Sequence, residues 1–193
     1  LGKLGYKTAF IGKVGDDEFG KLLKNTITEQ KIDSTGLILD PNAKTTLAFV
    51  DNDETGDRSF SFYRKPGADM MLREDEVNYE LIDNCRIFHF GSLSMTDEPV
   101  RSATYAMIDY AKKKNKIISF DPNLRPPLWE SEDLAAKQIW YGIEQCDILK
   151  IADNEIEWLT GTNDYDKGIE IIRQRTHAKL INVTLGPNGS IAY

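Results

Sequence analysis

Asp121–Pro122–Asn123–Leu124–Arg125 gathers a carboxylate, an amide and a guanidinium directly after the apolar run Ile117–Phe120. The planar guanidinium fork suits phosphate or carboxylate oxygens. A turn fixed by Asp–Pro and Pro–Pro, with Arg125 in solvent, fits the same residues, and spacing leaves the two readings level. Asp153–Asn154–Glu155–Ile156–Glu157 follows Ile148–Ile151 in the same way. Asn154 and Glu157 are three apart and share a helical face, where they could orient the waters of a magnesium ion or touch a phosphate. The same spacing is that of a capping box, which would satisfy backbone donors alone. Thr184–Leu185–Gly186–Pro187–Asn188–Gly189 ends the last apolar run. Its hydroxyl and glycines would let a nucleotide approach the backbone closely, and a hairpin turn into Ser190–Tyr193 is the plainer alternative.

Gly15–Asp16–Asp17–Glu18–Phe19–Gly20–Lys21–Leu22 comes close to the phosphate-cradling P-loop pattern, but Leu22 stands where a Ser or Thr hydroxyl should hold magnesium. Three acidic side chains, Asp16, Asp17 and Glu18, would also face the polyphosphate. Carboxylates in a first helical turn favour the helix dipole instead, and Asp16 is the expected cap.

The elements around these segments follow from periodicity. Thr8–Gly12 reads as a strand, and Phe19, Leu22, Leu23 and Ile27 recur at helical spacing after it. Thr45–Val50 and Ser59–Arg64 flank the turn-rich Asp51–Asp57 and read as an antiparallel hairpin. No crossover helix follows either run, so the hairpin is expected outside the main sheet, as a lid, an oligomer contact or simple padding. Tyr63, Arg64 and Asp69 are its residues best able to meet a polar ligand. Beyond residue 85 strands and helices alternate: strands at Arg86–Gly91, Lys116–Phe120, Ile148–Ile151 and Lys179–Thr184, with helices opened by Pro99 and around Leu134–Ile143, Glu155–Leu159 and Ile169–Arg175. Successive βα units imply an α/β fold with a mostly parallel sheet and helices on both faces, in which ligands lie beyond the carboxyl ends of the strands.

The 193 residues carry 24 Lys+Arg against 31 Asp+Glu, and neither half has the basic surplus that nucleic-acid or anionic-membrane binding needs. Small molecules or proteins are the expected partners. No apolar run approaches the ~20 residues of a membrane span, and Leu1–Gly5 is not a signal or transit peptide. Cys85 and Cys146 lack metal-site spacing and read as reduced core thiols in a cytoplasm.

Taken in order, six segments resemble the ribokinase-type family of ATP-dependent sugar kinases, and within it the bacterial fructokinases. They are Phe10–Gly20, Phe62–Asp69, Phe88–Ser94, Asp121–Arg125, Asn154–x–x–Glu157 and Thr184–x–Gly186–x–x–Gly189. The resemblance implies a mostly parallel three-layer α/β sandwich, with residues 1–193 forming part of one kinase domain and 45–69 a small β lid that often joins two subunits. It implies ATP and Mg²⁺, with the terminal phosphoryl group passed to a hydroxyl of a ketose, fructose first. By the same carry-over Tyr63, Arg64, Gly91, Ser92, Asp121, Asn123 and Arg125 would meet the sugar. Thr184, Gly186 and Gly189 would border the nucleotide, and Asn154 and Glu157 would organise the metal through water.

Two family elements have no counterpart here. A glycine pair with an Asn that grips the sugar would precede Leu1, and a Gly-Ala-Gly-Asp turn carrying the general base would follow Tyr193. The expectation is therefore a segment truncated at both ends, with no catalytic residue of its own and little or no activity alone. A 2-keto-3-deoxygluconate kinase and a non-catalytic binding module of the same fold are the alternatives.

Overall fold

The structure, a computed structural model, describes residues 1–52 and 58–193. It divides into two compact units, Leu1–Leu81 with Glu98–Ala103, and Ile82–Asp97 with Thr104–Tyr193.

In the first unit, β1 (Thr8–Gly15), α1 (Glu18–Glu29) and β2 (Ile32–Asp40) form a parallel βαβ turn. Strand β2 is not among the sequence expectations: Asp33, Ser34, Thr35 and Gly36 interrupt its apolar character, and pairing with β1 supplies what propensity does not. Helix α1 forms as its spacing predicts, yet Phe19, Leu22 and Leu23 remain 54, 61 and 45% exposed. The expected cap shifts by one residue. Asp17, with extended backbone, caps α1 by accepting from the Gly20 amide at 2.9 Å, whereas the Asp16 amide bonds to the Asp40 carbonyl.

The Asp17 carboxylate also reaches the chain that leads into the hairpin. It accepts from the Thr45 amide at 2.9 Å and from the Thr45 hydroxyl at 2.8 Å, and that hydroxyl in turn accepts from the Gly15 amide at 3.0 Å. These bonds, those from Thr45 and Gly20 backbone first, hold the Asp17 carboxyl down at about 2. The site that resembled a P-loop is thus filled by the protein's own carboxylate. Beyond it β3 (Leu47–Asn52) and β4 (Arg58–Tyr63) pair antiparallel as a separate sheet, registered from Leu47–Tyr63 to Asn52–Arg58. Of the expected turn Asp51–Asp57, residues 53–57 lie outside the described residues.

After the short helix α2 (Tyr79–Asn84), the second unit is built on β5 (Ile87–Gly91), β6 (Ile117–Asp121), β7 (Ile148–Ala152), β8 (Leu180–Thr184) and β9 (Ser190–Ala192). They lie side by side in that order, the first four parallel and β9 antiparallel to β8. The connecting helices are α3 (Val100–Lys113), whose first turn groups with the first unit, α4 (Glu132–Gln145), α5 (Asp153–Thr160) and α6 (Tyr165–Arg173). Phe88, Phe90, Ile118, Phe120, Leu149, Ile151, Ile181 and Val183 form the buried face of the sheet. The alternate positions are half-buried or exposed and include His89, Ser119, Lys150 and Asn182. Ser131 caps α4 through a 3.1 Å bond from the Leu134 amide, and Gly142 of α4 lies against the Phe120 ring.

Cys85 and Cys146 are free thiols. Cys146 is buried, and desolvation pushes its thiol up to about 12. Among the described residues no helix is long and apolar enough to cross a membrane.

Two stability experiments follow from this packing. A carboxyl depressed in the folded state adds stability that is complete above its ordinary 3.8 and lost as pH falls through about 2. Asp17→Asn keeps a capping oxygen but removes that charge. The difference in Tm between the parent chain and the variant, followed by circular dichroism, should be constant above about pH 5 and shrink steadily below it. A methyl at residue 142 would meet the Phe120 ring at 2.4 Å. Gly142→Ala should therefore cost about 1–3 kcal/mol in denaturant unfolding, and an unchanged midpoint would mean that the ring yields freely.

Candidate functional site

Parallel pairing places the carboxyl ends of β5 to β8 along one edge of the sheet, and the four segments singled out in this part of the sequence leave from that edge. After β5, Ser92 is buried, and its hydroxyl donates to the Pro122 carbonyl at 2.5 Å, while the Ser92 amide reaches the same oxygen at 3.3 Å. Gly91 lies beside Asp121, where a Cβ would stand 3.2 Å from the Asp121 carbonyl. The first two segments are therefore locked together by backbone and hydroxyl contacts.

After β6, Asp121 is half-buried and Asn123 exposed, the latter with a positive φ of 45° that breaks the strand direction. Arg125 is half-buried, and its Nη1 donates to the Leu124 carbonyl at 2.9 Å. Two residues outside the sequence expectations fix this loop. Lys150 of β7 forms an ion pair with Asp121 at 3.1 Å, one step beyond the Phe120–Leu149 pairing of their strands. Glu155, 7% exposed, accepts from the Leu124 amide at 2.6 Å through one oxygen and from the Ala152 amide at 2.8 Å through the other.

Glu155 also decides the cap of α5. Its bond to the Ala152 amide, three residues back, is the returning half of a capping box, so the box starts at Ala152 rather than Asn154. Asn154 and Glu157 are both exposed on the first turns of α5. A Glu three residues after the end of a strand was the available signal for Glu155, and the side-chain-poor Ala152 conceals it. For Lys150 the signal was a lone charge inside an otherwise apolar strand.

After β8, Thr184 is half-buried and Gly186 and Gly189 are exposed, with φ of 54° and 90°. The Leu185 amide bonds to the Gly189 carbonyl at 2.8 Å, and Thr184 pairs with Ser190, so the glycines close a hairpin from β8 into β9.

In the first unit, Tyr63 at the end of β4 is 70% exposed and its ring meets Phe49 edge-on at 5.5 Å. Arg64 is buried and pairs through Nε with Asp69 at 2.7 Å, and Asp69 also accepts from the Thr46 hydroxyl. Lys13 is a further buried charge that the sequence reading does not include. Its ammonium, 3% exposed, contacts Asp40 at 3.2 Å, Glu76 at 2.7 Å and the Met71 carbonyl at 3.1 Å. Among the described residues no group of three or more His, Cys, Asp or Glu side chains is arranged to hold a metal ion directly.

Comparison with known proteins matches the whole chain. A family model described as pfkB family carbohydrate kinase covers residues 1–193. The chain is 44% identical to probable fructokinase-2 of Arabidopsis thaliana, over all of this chain and 59% of that protein, and 42% identical to fructokinase-1 of Zea mays, over all of this chain and 60% of that one. It thus spans about three fifths of the length of these relatives. The crystal structure of Vibrio cholerae fructokinase with fructose, ADP and a calcium ion superposes with a TM-score of 0.91 at 32% identity, covering all of this chain and 61% of that one. Xylella fastidiosa fructokinase with bound ATP gives 0.88 at 34% identity, again over all of this chain and 61% of that one. With its strand order, its carboxyl-edge loops and a family match along its full length, the chain belongs to the pfkB family of carbohydrate kinases.

Proposed function

We propose that this chain is part of an ATP-dependent sugar kinase that transfers the terminal phosphoryl group to a hydroxyl of fructose. The observation that carries the reading is its 40–44% identity, over essentially its whole length, to plant fructokinases. The Vibrio cholerae fructokinase that superposes at 0.91 holds fructose and ADP.

Within that reading, Gly91, Ser92, Asp121, Asn123 and Arg125 border the sugar at the edge of β5 and β6, and Tyr63 and Arg64 of the hairpin, as a β lid, are its other proposed contacts. Arg64 already has its charge balanced by Asp69, which favours a neutral ketose over the acid substrate of a 2-keto-3-deoxygluconate kinase. Thr184, Gly186 and Gly189 leave backbone accessible to a nucleotide at the end of β8. A magnesium ion, when bound, neutralises phosphate charge. Asn154 and Glu157 would act on the ion through water. A homodimer through the hairpin and a cytoplasmic location complete the proposal; the free thiols Cys85 and Cys146 suit a reducing compartment.

Phosphoryl transfer depends on positioning and charge placement. Lys150 keeps the Asp121 carboxylate in one place, and Glu155 fixes the loop between Asp121 and Arg125 to the start of α5. Both are positioning residues.

The direct test is ATP-dependent phosphorylation of fructose, 2-keto-3-deoxygluconate, ribose and nucleosides by the chain extended to the length of its relatives. Turnover should be highest on fructose, and absence of turnover on every sugar overturns the proposal. In the same protein Glu155→Ala leaves two part-buried amides without these acceptors, at up to about 1–3 kcal/mol each. It should lower Tm and raise the KM for sugar together, whereas Glu155→Gln keeps one acceptor and should recover part of both. Lys150→Met should raise the sugar KM with little change in Tm, because an ion pair this exposed adds little stability.

A further inference from the structure

The second unit has an open depression of about 550 Å³ at the amino ends of β6, β7 and β8, the end of the sheet opposite the loops described above. We propose that it binds a small organic anion with an apolar body, such as an aryl phosphate. This inference is independent of the sugar-kinase reading.

Its shape and chemistry agree on that class. The volume falls within the ~300–1,000 Å³ usual for small-molecule sites. Ile117, Ile148 and Leu180, at or next to the first paired residues of their strands, supply an apolar lining. Leu180 is 41% exposed, so its side chain is accessible to an apolar ligand.

The same depression is cationic in a chain whose net charge is −7. Lys112, Lys116 and Lys179 line it against one carboxylate, Asp147. That carboxylate is already engaged, accepting from the Ile118 amide at 2.9 Å with His177 Nε2 3.7 Å away. Lys112 and Lys179 are not neutralised in return, and Lys116 has the Asp83 carboxylate within electrostatic reach. Lys112 donates to the Gln145 amide oxygen at 2.5 Å and Lys116 to the Asp83 backbone carbonyl at 2.7 Å, both uncharged acceptors. The Asp83 carboxylate itself is held by Lys114 at 2.9 Å. The Lys179 ammonium has no hydrogen bond or ion pair among the described residues. Each ammonium offers three donors, so all three lysines keep capacity for an anion. An ordinary dipole-complementing helix end explains Lys112, at the end of α3, but not Lys116 or Lys179, which lie beyond any helix.

The test is a titration of the 193-residue chain with 1-naphthyl phosphate, followed by amide and histidine-ring NMR. Saturable shifts are expected at Ile117, Ile118, Ile148 and Leu180 and at the His177 ring. Lys179→Glu should weaken binding about tenfold or more, while Lys24→Glu on α1 should leave it unchanged; Lys179 is exposed and Lys24 half-buried, and the spectra of the variants check their folding. Inorganic phosphate should bind about tenfold more weakly than the aryl phosphate. Shifts confined to Thr184–Gly189 or to the aromatic hairpin, an unaltered affinity in Lys179→Glu, or equal binding of inorganic phosphate would each overturn the proposal.

Discussion

Parallel pairing of β5, β6, β7 and β8 is the constraint on which the site of the second unit depends. Parallel strands deliver every carboxyl end to one edge, so segments separated by 30 residues or so of sequence become neighbours in space. The edge is then stitched by a few polar bonds: Ser92 to Pro122, Lys150 to Asp121, and Glu155 to both Leu124 and Ala152. Each bond links two strand ends, or ties the start of α5 to the loop after β6 or to the end of β7. Glu155 is the most consequential, because a buried carboxylate must have its lone pairs satisfied and two backbone amides do so here.

A second clamp works in the first unit on the same principle. Asp17 caps α1 and pins Thr45, two residues before β3 begins, so the root of the hairpin is tied to the turn between β1 and α1. The close approach leaves no room for side chains: a Cβ on Gly20 would stand 1.9 Å from the Gly15 carbonyl oxygen. The two glycines that made this stretch look like a phosphate loop are thus required by contact between the β1–α1 turn and the chain entering the hairpin.

Most of the second unit was legible in the sequence, because its strands are short, apolar and separated by helices of clear period. Strand ends came within one or two residues, and the segments following them are the loops of the carboxyl edge. Strand β2 was not legible, since five of its nine residues are Asp, Ser, Thr or Gly and only its partner β1 makes them a strand. The caps were misplaced by one residue at Asp16 and by two at Asn154. In both cases several acidic or amide side chains compete within one turn, and backbone direction alone selects which one reaches the free amides.

By itself the sequence determined the α/β class, the hairpin between the two βα regions, the order of the polar strand-end segments and the family resemblance that those segments carry. These depend on local period and residue type, which neighbouring residues express without help from distant ones. The tertiary structure alone decided which polar side chains are buried and which partners they find. Glu155 became the buried link and Glu157 an exposed one, Lys150 found Asp121, Lys13 was enclosed by Asp40 and Glu76, and three lysines met over an apolar hollow at the far end of the sheet. The reason is physical: burial and charge pairing are set by residues far apart in the chain, and the strand register that brings them together does not exist until the sheet has formed.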